Sequence, residues 1–416
     1  MSSSHLSLAA AAWLVRPQTV ALLDLLNGDG ALTRAVGGCV RDTLLGQATD
    51  ETEVDLATSL TPDAVSARLE AADIRVVPTG LAHGTVSAIM PGGEGQAMVY
   101  EITTLRQDVE TDGRHAQIAF SDSWESDAAR RDLTINALYC DGDGTVHDPN
   151  GQGLADIEAR HIRFIGPADQ RIAEDYLRVL RFFRFHFTLA PEASLDGAAR
   201  QACQAAAGHM HTLSGERKQS EILKILALPD AAAALQAMQG CGLLQPIFGV
   251  ETTFDLARLS HLAAAGEDGI LRFASLFDDA AVAQQAAQCL RFSNADEKRV
   301  VAALTPSAHV QRQDMTGALY YDGVARLADQ AALAPREASS EADFWQALQA
   351  RLDAYERPVF PLNGAKLKQA GVPEGPEMGR ILAQLESWWV ANDFPPEDAL
   401  AAALAAQLKQ AEIAPK

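Results

Sequence analysis

Gly37-Gly38-Cys39-Val40-Arg41-Asp42-Thr43-Leu44-Leu45-Gly46, then Glu53-Val54-Asp55-Leu56-Ala57-Thr58-Ser59, is the stretch around which the rest of the chain arranges itself. The paired glycines follow the short apolar step Ala35-Val36 and precede a segment of helical pattern. With no Cβ in the way, backbone N–H groups at such a turn approach an anionic ligand closely, which is the geometry of a phosphate site. Val54 and Leu56 alternate with Glu53 and Asp55. On a strand the period of two sends both carboxylates to one face and both apolar side chains to the core. Two carboxylates in front of a phosphate site want a divalent cation. Each half alone has an ordinary explanation, a plain turn and a solvated sheet face. The order of the two carries the inference.

That order, GGCVRDTLLG then EVDLATS, resembles the nucleotidyltransferase signature of the class II tRNA nucleotidyltransferase and bacterial poly(A) polymerase family, where GG-x-VRD-x-LLG precedes Asp-x-Asp. Glu53 stands where the family has its first Asp, after a slightly longer connection from Gly46, and offers a metal-binding oxygen one methylene further out.

Length and composition bound the answer. A chain of 416 residues is expected to form two to four subdomains, and 48% hydrophobic content supports ordinary globular folding. No apolar run is long enough to span a bilayer, and no basic residue precedes the apolar Leu6 to Val15 stretch, so neither a membrane span nor a signal peptide is expected and the setting reads as cytoplasmic. Cys39, Cys140, Cys203, Cys241 and Cys289 are odd in number, widely spaced and form no CxxC, which argues against a disulfide framework and a zinc site; they are expected to be reduced and buried. The formal net charge of -21 opposes general nucleic-acid binding. A local basic segment runs from Arg160 and Arg163 through Arg171, Arg178, Arg181 and Arg184, either an RNA-facing patch or a set of ion pairs.

Taken in order, Pro17 to Asn27 has a helical pattern, and Thr61-Pro62 reads as an N-cap with proline opening a helix to about Ala72. Strand-like runs follow at Ile74 to Pro78, Thr85 to Met90 and Ala97 to Leu105, the last two joined by the Pro91 to Gly95 turn. Glu101 on the third run is by itself a solvent-facing strand residue; the EITTLR segment resembles the family's, which implies a third acidic group beside the metal pair. The polar Thr111 to His115 stretch resembles the family's flexible loop, or is a bland surface loop. In the helix expected over Asp127 to Tyr139, Asp132 and Asn136 are four apart and share a face beside Arg131, leaving Leu133, Ile135 and Leu138 for the core. RRDLTINALY resembles the family's second motif, which implies that Arg131 meets the nucleotide while Asp132 and Asn136 read the ribose.

Asp141-Gly142-Asp143-Gly144 lacks the spacing of a calcium loop and reads as a hairpin turn, and Arg160 to Ile165 as a linking strand. Over Glu174 to Phe185, helical spacing sets Asp175 and Arg178 one turn apart, with Arg181 and Arg184 continuing the stripe. That pair is either a surface ion pair or, as the resemblance to the family's EDxxR arrangement implies, an amino-acid template selecting C and A. Ser214 caps a following helix that the resemblance makes a buttress of the template. From Asp230 onward the sequence is helical, broken by Pro246, Pro306, Pro335 and Pro358, with Trp388 and Trp389 expected to pack helices. No Walker loop or complete GxGxxG occurs, which disfavours a P-loop or dinucleotide enzyme.

The expected fold is α+β: an N-terminal nucleotidyltransferase head with a small mixed sheet over residues 1-140, then a helical neck over 141-229 and a helical body and tail over 230-416. The resemblance implies CCA addition to tRNA from CTP and ATP with Mg2+. Glu53 and Asp55, helped by Glu101, would hold metal; Gly37, Gly38 and Arg41 would hold phosphates; Arg131, Asp132 and Asn136 the sugar; and Asp175, Arg178, Arg181 and Arg184 the base and phosphate. tRNA is the expected partner, with no DNA and no membrane. Poly(A) addition, a partial CC- or A-adding activity and a catalytically impaired RNA-binding module stay open.

Overall fold

Two short helices, α1 (Ala12–Val15) and α2 (Pro17–Leu26), meet at Arg16, whose backbone is extended because proline follows it. Strand β1 (Thr33–Val36) passes through Gly37 into α3 (Gly38–Leu44). Gly37 has φ 75°, a left-handed value that glycine adopts without the Cβ penalty. The computed structural model describes residues 7–81, 84–92, 96–111, 116–262, 268–334 and 340–410.

Strand β2 (Asp55–Thr58) begins at Asp55, so Glu53 precedes the ladder instead of lying within the strand; the alternation still holds, with Val54 and Leu56 buried and Glu53 and Asp55 exposed. Thr61 accepts from the Ala64 N–H and Pro62 opens α4 (Pro62–Ala71), as the sequence predicts. Strands β3 (Arg75–Gly80), β4 (Thr85–Pro91) and β5 (Ala97–Thr104) follow. Residues 93–95 of the expected turn lie outside the described residues. With β8 (Tyr139–Cys140) and β9 (Val146–His147) these strands form a seven-stranded sheet in the order β3-β4-β5-β2-β1-β8-β9, in which only β2 and β5 run parallel. The Asp141 to Gly144 segment is the β8–β9 hairpin turn, as expected.

Strands β6 (Arg106–Thr111) and β7 (Ala116–Phe120) pair in a separate antiparallel ribbon that the sequence reading did not anticipate. Of the expected loop at Thr111 to His115, residues 112–115 lie outside the described residues.

Three further expectations, all on segments that carry candidate site residues or link them, need correction. Helix α5 (Trp124–Ala129) stops before Arg131, and Leu133 is extended and bridges Phe164, so Asp132 and Asn136 are not on one helix. A 3-10 turn over Thr134–Asn136 brings them together instead, and Leu133, Ile135 and Leu138 are buried as expected. Arg160 to Ile165 supplies only that single bridge, not a strand. Finally, the predicted template helix is two helices, α6 (Gly153–Glu158) being followed by α7 (Ala168–Glu174) and α8 (Leu177–Leu189) with an extended break at Asp175, φ -156°. Asp175 accepts the Leu177 N–H at 3.0 Å, a local side-chain bond of the kind that favours a helix start over a helix interior.

Helices α9 (Gly197–Ala205), α10 (Gly215–Leu226), α11 (Ala231–Gly240) and α12 (Leu244–Phe248) complete the first of two compact units, Met1–Gly249. Pro246 does not break a helix: it sits in the first turn of α12, where N–H groups have no intrahelical partner to lose. Among its described residues the second unit, Val250–Lys416, is helical, the first helix being Leu256–Leu262 and the last Glu397–Gln410. One of its cores gathers Leu385, Trp389 and Leu404 with Trp388 packed against them, so both tryptophans pack helices. Cys39, Cys140, Cys203 and Cys241 are buried free thiols, whereas Cys289 is only half-buried.

Candidate active site

The site forms where the cover over one sheet face ends. In the sheet, Asp55 stands directly between Val36 of β1 and Glu101 of β5. Paired residues share a face, and Ala57, two along, shares it too. Ala57 and Val36 are buried with Ala128, Ala137 and Tyr139, while Asp55 and Glu101 beyond that edge are exposed. The parallel register therefore sets the two carboxylates side by side one residue from the glycine turn.

Crowding of charge shows in the acidity of Asp55. Partial burial by the surrounding protein and the Glu101 carboxylate, with a smaller push from Glu53, raise its carboxyl to about 6, while the Arg131 guanidinium pulls the other way. Like charges this close are what a divalent cation relieves. Among the described residues no three carboxylate, imidazole or thiolate side chains close on one point. Mg2+ fits this donor set, because it is held by one or two carboxylates and keeps its other positions for water and substrate phosphates. Glu53 is close enough to act on the Asp55 charge, and it lines a cleft of about 750 Å³ with Arg16, Thr52, Met98 and Tyr100 whose lining includes neither Asp55 nor Glu101. Cys39, beneath Asp55, is no nucleophile: burial and the Asp55 charge push its thiol up to about 12.

A continuous polar chain joins the glycine turn to α8. Arg41 donates from Nη1 to Asn136 Oδ1 at 2.6 Å, Asn136 Nδ2 to Asp132 Oδ1 at 3.3 Å, and Arg181 Nε to Asp132 Oδ2 at 2.5 Å. Burial opposes the Asp132 charge, but Arg181, the Leu133 N–H and Asn136 outweigh it and hold the carboxyl below its ordinary value. The Arg41, Arg181 and Arg184 guanidiniums lie 4.8, 5.3 and 4.2 Å from the Phe185 ring centre. A Cβ on Gly37 would stand 3.7 Å from the Asn136 carbonyl and 3.9 Å from Arg131 Nη1, so the turn, Arg131 and Asn136 share one small volume.

Arg131 is fixed by Asp127 and Tyr139. Its Nε donates to Tyr139 Oη at 3.1 Å and its Nη2 to Asp127 Oδ2 at 3.1 Å, with Asp127 1% exposed. Asp127 was not singled out in the sequence; its signal was the spacing three and four residues ahead of Arg130 and Arg131 on a helix.

Asp175 and Arg178 do not pair with each other. Asp175 Oδ2 accepts from Arg217 Nη2 at 2.7 Å, and Arg178 Nη1 donates to Glu174 Oε2 at 2.6 Å and to the Arg171 carbonyl at 3.0 Å. Arg178 Nη2 also reaches the Arg130 carbonyl at 3.2 Å, and Arg171 the Arg131 carbonyl at 2.7 Å, so both helices are pinned to the head. Arg184 meets buried Glu221 of α10 at 2.7 Å, and Ser214 caps that helix as expected. The basic segment is thus laced with ion pairs: Arg163 with Asp156, Arg171 and Arg178 with Glu174, Arg181 with Asp132, Arg184 with Glu221.

A profile described as Poly A polymerase head domain matches residues 33–163, and one described as Probable RNA and SrmB- binding site of polymerase A matches 194–252. CCA tRNA nucleotidyltransferase 1, mitochondrial, of Danio rerio is 33% identical over 390 residues, 90% of this chain and 87% of its own. The chain belongs to the tRNA nucleotidyltransferase and poly(A) polymerase family. A CCA-adding enzyme of Streptococcus pyogenes is 31% identical over 366 residues, 84% of this chain and 87% of its own. The structure of the Bacillus stearothermophilus CCA-adding enzyme in complex with CTP superposes with a TM-score of 0.74 at 27% identity, covering 95% of this chain and 99% of that one. Nucleotidyltransferases of this family generally need divalent metal ions. No helix among the described residues is long and apolar enough to cross a membrane.

Proposed function

We propose that this chain adds CCA to the 3' end of tRNA, taking CTP and ATP and releasing pyrophosphate, with Mg2+ as its metal. The observation that carries the reading is the parallel pairing of Asp55 with Glu101 one residue from the Gly37–Gly38 turn. In each cycle the RNA 3'-oxygen bonds to the α-phosphorus as the bond to the pyrophosphate oxygen breaks. Asp55 and Glu101, with Glu53 approaching from the preceding segment, would hold the metal, which when bound would lower the cost of charge on the attacking and leaving oxygens. Gly37 and Gly38 let the triphosphate approach backbone N–H groups, and Arg41 adds a guanidinium. Arg131, Asp132 and Asn136 line the sugar subsite, while Asp175 and Arg178 offer an acceptor and a donor to the base edge, and Arg181 and Arg184 carry positive charge behind them. The division into a head over 1-140, a neck over 141-229 and a tRNA-contacting body and tail over 230-416 belongs to this proposal, as does a cytoplasmic setting, which the buried free thiols support.

Poly(A) addition is the second reading, favoured by the description of the head profile. For either reading Asp55→Asn tests the metal site. CMP and AMP incorporation should fall together by more than about 100-fold, beyond what loss of an outer-shell partner produces, with tRNA affinity nearly unchanged. Activity within tenfold of the parent would sink the metal assignment.

A further inference from the structure

We propose that Arg16 is a positioning residue for Glu53, and that the α1–α2 corner is a strut setting this carboxylate beside Asp55; the inference rests on the metal reading above. Glu53 needs such a device. The ladder bonds of β2 start only at Asp55, so Glu53 hangs from a turn, and its side chain carries an extra rotatable bond compared with aspartate.

The hydrogen bonds show what holds that turn. Within it, Thr49 N–H donates to Thr52 Oγ1 at 2.8 Å and Thr52 N–H to the Thr49 carbonyl at 3.1 Å. From outside, the Arg16 guanidinium donates to the Thr52 carbonyl from Nη1 at 3.4 Å and Nη2 at 3.3 Å, and from Nη2 to the Asp50 carbonyl. The Thr52 carbonyl belongs to the peptide unit that carries the Glu53 nitrogen. A fork of donors on it restrains the plane from which the Glu53 side chain departs.

The other end of the strut is equally tied. Trp13, fully buried, donates from Nε1 to Thr43 Oγ1 at 2.7 Å, and Thr43 donates on to the Cys39 carbonyl at 2.6 Å, inside the helix that the glycine pair opens. Thr19 Oγ1 lies 3.0 Å from Tyr100 Oη in the core beneath β5, next to Glu101. Pro17 locks the corner by confining Arg16 to extended backbone. One short segment thus touches the supports of the glycine turn, of Glu53 and of Glu101. Arg16 is half-buried and lines the same cleft as Glu53.

The test is Arg16→Met, which keeps the aliphatic stem and removes the donors, with Arg16→Lys beside it. Mn2+ binding to the CTP-loaded, RNA-free protein is followed by water-proton relaxation, alongside kcat, KM for CTP and a thermal melt. Arg16→Met should weaken Mn2+ binding and lower kcat, each by about 10-fold, the size expected when a positioning partner of a metal ligand is lost. KM for CTP should stay within twofold, and Arg16→Lys should recover part of the loss. Unchanged Mn2+ binding in Arg16→Met, whether or not the melt shifts, overturns the proposal by leaving Arg16 a purely structural side chain. Glu53→Gln in the same titration separates the two layers. If it binds Mn2+ like the parent, the metal role of Glu53 fails and this inference with it; if it weakens binding while Arg16→Met does not, only the strut fails.

Discussion

In the proposed mechanism Asp55 carries the chemistry, and its carboxyl is raised by burial and by the Glu101 charge beside it. Its folded carboxyl titrates near 6, above the usual carboxylate range, so the fold is favoured with Asp55 protonated. That contribution is present below about pH 4 and is lost as pH rises through about 6. Above it, the Asp55 charge beside Glu101 is one that a divalent cation would relieve. In metal-free protein, NMR titration of Asp55 should give a midpoint near 6, and Glu101→Gln should move it down by removing the neighbouring carboxylate. A midpoint that Glu101→Gln leaves in place would contradict the side-by-side arrangement. Added divalent metal should likewise lower the midpoint, because metal and proton compete for one oxygen. Glu53 differs in kind: its position depends on a turn and on Arg16, whereas Asp55 is fixed by a ladder on both sides.

Among the elements, the break between α7 and α8 is the feature on which the proposed base selection rests. It frees Asp175 from the helix and gives it to Arg217, while Glu174 takes Arg178. Neither member is spent on the other, so each is held by a third residue with a known geometry. Arg178→Ala should remove a base contact worth about 1–3 kcal/mol, cutting the preference for CTP and ATP over UTP and GTP by roughly 5- to 150-fold. The same change should cost about 1–3 kcal/mol of stability, since the Arg130 and Arg171 carbonyls lose a charged donor. Competition of all four nucleotides on one transcript, with a melt, reads both; a destabilised variant with unchanged selectivity would make Arg178 a structural clamp only. Much of this was legible in the sequence. Local signals held: the proline-opened α4, the capped α10, the glycine turn and the three strands all follow from side chains acting on their own backbone. Periodicity misled where tertiary bonds override it. Asp132 and Asn136 sit four apart, yet they meet through a 3-10 turn because Thr134 and Ile165 take backbone bonds with Arg163 and Asp132 instead of helix partners. Of the ion-pair partners, Asp127 and Glu174 lie three or four residues from arginines they hold, whereas Glu221 meets Arg184 across two helices and could not be assigned from spacing.

For the whole molecule, the net charge of -21 and the paired arginines limit where RNA can bind. tRNA affinity should still fall with salt, with a log–log slope of about -0.9 for each duplex phosphate neutralised. A flat dependence would leave the basic segment as internal wiring. Nucleotide phosphate competing with Asp132 and Glu221 for Arg181 and Arg184 would account for positive charge being stored in an acidic chain. The proposed function requires that one site add C, C and A in order to tRNA. The direct measurement is incubation of the purified protein with Mg2+, CTP and ATP and three tRNA transcripts, lacking CCA, CA or A, followed by sequencing of the 3' ends. All three should end in a single completed CCA and then stop. Adenosine runs on every transcript, or growth that halts at CC or requires it, would contradict that claim.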